Sequence, residues 1–165
     1  MKAVVVYESL WGNTEAIARA IAEGLGEGAV AVHTNEATPE VAAGADLIVG
    51  GAPLLGFSLP TEAMRESIRT GRDAAATPAD FSNRSMRSWL ADLAEGSGAC
   101  AGFETAIWWS PGSSARAIDT GLTAKGRTSA AKPRRFLVTG RTGPLKDGEL
   151  ERARAWGSEL RAGAA

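Results

Sequence analysis

The run Val4-Val5-Val6-Tyr7 opens the chain and passes through Ser9-Leu10-Trp11-Gly12-Asn13-Thr14 into a helical pattern from Glu15 to Leu25. A strand that is apolar on both sides needs cover on both faces, which places it in a helix-flanked parallel sheet. The connecting loop is rich in hydroxyl and amide groups. The first turn of a helix leaves backbone N–H groups without partners, and the helix dipole adds partial positive charge there. Such an end is a seat for an anion, above all a phosphate. Gly12 permits close approach or a positive φ. Ser9, Asn13 and Thr14 add side-chain donors, and the N–H groups of Leu10, Trp11 and the residues after them add more. The loop contains no lysine or arginine, so a phosphate held by it alone meets neutral donors.

The rest of the chain repeats the strand–helix alternation. Helical spacing of Ile17, Ala18, Ile21, Ala22 and Leu25 ends at Gly24, Gly26 and Gly28, which read as a helix stop rather than a dinucleotide fingerprint. Strands are expected at Ala29–Thr34, Asp46–Gly51, Cys100–Trp109 and Phe136–Val138. Helices are expected after Thr38, over Thr61–Ile68 and Phe81–Leu93, from Ser113 or Ser114 to Thr123, and from Asp147 or Gly148 to Arg161. Lys125–Pro133 reads as a solvated basic loop, and Gly71–Phe81 carries no clear pattern. Such alternation predicts an α/β fold: a doubly wound five-stranded parallel sheet of order 2-1-3-4-5. The first and third strands then flank the switch point, and a ligand sits beyond their carboxyl ends. No repeat or linker divides residues 1–165, so one domain is expected.

Tyr7, Ser9, Gly12, Thr14, Ala18 and Ile21, after Val5-Val6, resemble the amino-terminal signature of the flavodoxin family. The resemblance implies a flavodoxin-like domain of the short-chain form, with an uninterrupted fifth strand. It implies non-covalent FMN with its phosphate in the first loop. It also implies that the loop Pro53-Leu54-Leu55-Gly56-Phe57 lies against the isoalloxazine ring, with Gly56 as a flexible peptide and Leu55 or Phe57 covering one face. The loop Trp108-Trp109-Ser110-Pro111-Gly112 would cover the other face. Adjacent residues of a strand point to opposite sides, so one of Trp108 and Trp109 is expected to face the core and the other the site. The Leu54-Leu55 pair departs from the polar segment of relatives, and the Trp108 loop lacks their acidic residues.

The formal charge of −1 gives no reason to expect nucleic acid or an anionic membrane. One cysteine, Cys100, permits no internal disulfide and fits a reducing cytoplasm. The first apolar run is too short for a signal peptide or membrane span. A receiver domain would need clustered aspartates where only Glu8 stands, and a phosphatase loop would need an arginine where Ala106 follows Cys100. His33 is the only histidine and reads as a strand-end surface residue; no metal-ligand cluster is present. No residue stands out as acid, base or nucleophile. The expected roles are electron carrier, FMN-dependent oxidoreductase of quinone reductase or protoporphyrinogen dehydrogenase type, or a flavin-free binding domain. The partner is a redox protein or a small electron donor or acceptor; the sequence leaves oligomeric state open.

Overall fold

The computed structural model describes residues 1–71 and 78–163. Six strands form one sheet: β1 (Ala3–Tyr7), β2 (Ala29–His33), β3 (Leu47–Pro53), β4 (Ala99–Ala106), β5 (Thr128–Ser129) and β6 (Arg134–Leu137). The order is β2-β1-β3-β4-β5, with β6 also on β4, and all pairings are parallel. This is the expected 2-1-3-4-5 arrangement. One detail differs: the fifth position holds two short segments, not one uninterrupted strand. Thr128–Ser129 pairs with Ala99–Cys100, and Arg134–Leu137 pairs with Phe103–Ala106. Pro133 lies in the break, and a proline cannot donate to a ladder.

Alternation along β1 builds the two cores. Ala3, Val5 and Tyr7 face α1 (Asn13–Leu25) and α6 (Glu149–Gly163), whose Ile17, Ile21, Ala153 and Trp156 fill that side. Val4 and Val6 face α2 (Pro39–Ala43), α4 (Met86–Asp92) and α5 (Ser114–Ala124), which supply Ala42, Met86, Trp89, Ile118 and Leu122. In chain order α3 (Glu62–Thr70) falls between α2 and α4. Gly51 has no room for a side chain, because a Cβ there would meet the Phe103 ring at 1.9 Å.

Several expected boundaries move. The helix read from Phe81 begins at Met86, because Ser85 caps it by accepting from the Ser88 N–H at 3.1 Å. The patternless stretch Gly71–Phe81 falls largely on residues 72–77, outside the described residues. The basic segment is not uniformly solvated. Arg127 is buried and donates to the carbonyls of Ala42 and Ala45, which end α2. No described helix is long and apolar enough to cross a membrane.

Candidate functional site

Three loops meet at the carboxyl ends of β1, β3 and β4. Gly12 takes a left-handed conformation, φ 89°, immediately before α1. Ser9 Oγ accepts from the N–H groups of Gly12 at 3.1 Å and Glu15 at 3.2 Å. Two accepted bonds fill the acceptor capacity of a hydroxyl and leave its proton to be donated elsewhere. The N–H groups of Asn13 and Thr14, in the first helical turn, meet no protein acceptor among the described residues. These are donors of the kind an anion satisfies.

The side chains of the seat are engaged in ways the sequence does not reveal. Thr14 is buried, and its Oγ1 lies 2.8 Å from Thr105 Oγ1 at the end of β4. Asn13 Nδ2 donates to the Thr142 carbonyl at 3.0 Å, which ties the loop after β6 to the start of α1. The same loop carries Arg141, whose guanidinium carbon lies 5.7 Å from the centre of the Trp11 ring. Leu10, Trp11, Asn13, Thr14, Thr105, Ser110 and Arg141 share a cavity of about 170 Å³ with Pro53, Leu54 and Leu55.

A second, wider cleft of about 480 Å³ adjoins it, with Leu54, Leu55, Ser110 and Arg141 in both. Leu55, Gly56, Phe57 and Met64 line one part of it, and Trp109, Ser110 and Pro111 line another. Gly56 has φ 66°, in the left-handed region that glycine favours. Phe57 is 74 % exposed. Trp108 and Trp109 are 67 % and 63 % exposed. The expected alternation of core and site therefore fails. The strand ends at Ala106, and Trp108-Trp109 sit in a turn closed by the Ser110 N–H to Ile107 carbonyl bond at 3.0 Å. Trp109 lines the cleft; Trp108 does not.

Two anchors fix the turn. Arg135 on β6 donates through Nε to Glu104 at 2.7 Å, and its two terminal nitrogens reach the carbonyls of Ser110 at 2.8 Å and Gly112 at 2.9 Å. Glu104 is buried and also accepts from Ser113 Oγ and the Ala115 N–H. Gly112, φ 86°, lies against the Phe57 carbonyl, which accepts from the Ser113 N–H at 3.2 Å. The Phe57 and Gly112 loops are thus bonded to each other. Beneath the first loop, buried Glu8 pairs with Arg65 at 2.7 Å and accepts from the Met86 N–H. Burial pushes the Glu8 carboxyl up from its ordinary value, against the pull of the Met86 N–H and Arg65. Tyr7 is pushed up to about 12, first by burial and then by Glu15. His33 packs against Tyr7 with tilted rings, centres 4.5 Å apart, and bonds to Asn83; no group of three metal-ligating side chains occurs among the described residues.

Thr105, Arg135, Arg141 and Thr142 are the site residues that sequence reasoning missed. Each reaches the site through tertiary pairing. The glycines and proline around Arg141-Thr142 signal a loop after the last strand, but not which helix end it approaches.

Strand order, the two helical layers and the position of the cleft define the flavodoxin-like α/β fold. Solved structures share it over nearly the whole chain. An archaeal flavodoxin superposes with a TM-score of 0.66 at 20% identity, covering 98% of this chain and 97% of that one. Oxidised flavodoxin 1 from Bacillus cereus gives 0.64 at 18% identity, with 97% of each chain covered. A flavodiiron core from Synechocystis gives 0.63 at 18% identity; 98% of this chain matches only 35% of that one. No protein-family model matches the sequence, and no curated protein matches it.

Proposed function

We propose that this chain is a single-domain flavodoxin-like redox protein of the cytoplasm that binds FMN without a covalent bond and transfers electrons through it. The observation that carries the reading is the meeting of the Ser9–Thr14 loop, the Pro53–Phe57 loop and the Trp108–Gly112 loop around two adjoining cavities that share Leu54, Leu55, Ser110 and Arg141. The chain's groups suit the cofactor. The Ser9 hydroxyl and the N–H groups of Asn13 and Thr14 are donors for a phosphate. Leu55, Phe57 and Trp109 offer apolar area to a flat ring, and aromatic contact adds about 0.5–1.5 kcal/mol beyond that area.

FMN, when bound, supplies the redox chemistry; the protein binds, orients and tunes it. Gly56 is placed to let its peptide adjust at low cost. The exposed rings of Phe57, Trp108 and Trp109 support a second reading, an oxidoreductase acting on a small electron acceptor such as a quinone. Purified protein should be yellow and release FMN on denaturation. Protein that stays colourless and takes up no FMN in excess overturns the proposal. Turnover of a quinone with NAD(P)H separates enzyme from carrier.

A further inference from the structure

The loops over the cleft have an uneven charge. Residues 9–14, 54–61 and 107–113 contain no charged side chain, and residues 139–146 contain Arg141 and Lys146 but no carboxylate. Arg141 forms no ion pair among the described residues, and its recorded contact is the face of Trp11. Its loop is nonetheless held in place. Asn13 bonds the neighbouring Thr142 carbonyl, and Gly143, φ 100°, sits so close that a Cβ would meet the Asn13 carboxamide at 2.6 Å. A cation with no counter-charge among the described residues is thereby carried by an anchored loop to a cavity whose other polar lining is Asn13, Thr14, Thr105 and Ser110.

We propose that Arg141 is a specificity-determining residue of the site: it contacts the anionic phosphate of the ligand and makes the protein select a phosphorylated flavin over the uncharged one. The inference rests on the FMN reading above. Asn13, a direct phosphate donor by sequence, acts here as the tether for the loop that brings the cation. Arginine suits the task because its planar fork can stack on Trp11 while its N–H groups bond phosphate oxygens. The phosphate is then held by neutral donors from the first loop and by one charge from a loop near the other end of the chain.

The test titrates apo-protein with FMN and with riboflavin, which lacks the phosphate, following flavin fluorescence. Wild type, Arg141→Gln and Arg141→Lys are compared, each at low and high salt. Arg141→Gln should weaken FMN binding about tenfold, the scale of one charge-assisted bond, and leave riboflavin binding within about twofold. Arg141→Lys should restore part of the loss, and added salt should weaken FMN for wild type more than for Arg141→Gln. Equal changes for both flavins, or none for either, overturn the role of Arg141 while the FMN reading stands. Wild-type protein that binds neither flavin overturns both.

Discussion

Thr14 Oγ1 and Thr105 Oγ1 lie 2.8 Å apart, buried where α1 begins and β4 ends. The bond joins the start of α1, after the Ser9–Gly12 loop, to the strand that carries the aromatic turn. One hydroxyl donates and the other accepts, so removing either leaves a buried polar atom alone.

Thr14→Val and Thr105→Val should each cost about 1–3 kcal/mol of stability, the penalty of an unpaired buried hydroxyl. The double variant should cost less than the sum, because no orphan remains. Urea unfolding of the four proteins gives the cycle; strict additivity would mean that the two hydroxyls do not act as a pair. Thr14→Ala should also weaken FMN binding, because the first turn of α1 loses its tie to β4.

Arg135→Met should be more damaging. Glu104 is buried and would lose its ion-pair partner, at a cost of about 3–5 kcal/mol. Arg135→Lys should recover little, since an ammonium cannot hold Glu104 and the Ser110 and Gly112 carbonyls with one rigid fork. Hydrogen exchange should quicken at the Ser113 and Ala115 amides, which bond the Phe57 carbonyl and Glu104.

Much of this architecture is legible in the sequence, for local reasons. The run Val4–Tyr7 announces a strand covered on both faces, and Thr38 and Ser113 cap their helices as their residue types suggest. The meeting of the loops holding Ser9–Thr14 and Leu54–Phe57 follows from strand order, while the loop holding Trp109–Gly112 is what the family resemblance adds. Illegible are the features that depend on distant partners. Thr14 and Thr105 are 91 residues apart, and Asn13 and Thr142 are 129 apart. Alternation misled at Trp108-Trp109 because the rule holds only while the strand continues, and this strand stops at Ala106. The basic run before Phe136 reads as solvated because charge has no local signature of burial, yet Arg127 and Arg135 find carbonyls and a carboxylate inside.

Gly112→Ala should part the Phe57 and Trp109 loops over the cleft. A Cβ there would lie 1.9 Å from the Phe57 carbonyl, and φ is already 86°. Strain of about 1–3 kcal/mol is expected, relieved by movement of the turn that carries Trp109. Altered flavin fluorescence with unchanged helix content by circular dichroism would report it; an unaltered cleft would show that the Phe57–Ser113 bond does not set its width.

Cys100 should be inert in the folded protein. Burial, reinforced by the negative charge of Asp119, pushes its thiol from 9.0 up to about 11. At pH 8 its thiolate fraction is lower than that of an ordinary cysteine by about a hundredfold. The sign for stability follows. The folded state disfavours the thiolate, so the contribution is fully present below pH 9 and is lost as pH rises through 11. Alkylation by iodoacetamide should be slow until denaturant is added; rapid native-state labelling would contradict the burial.

The split fifth position bears on how these molecules behave when crowded. A sheet margin invites a neighbouring chain when it presents a long, flat row of unmatched amides and carbonyls. Here the margin is two short segments, interrupted by Ala130–Pro133 and bordered by Lys132, Arg134 and Arg135. Such an edge gives another sheet little to extend from, so the break that shortens the last strand also guards against strand-to-strand aggregation.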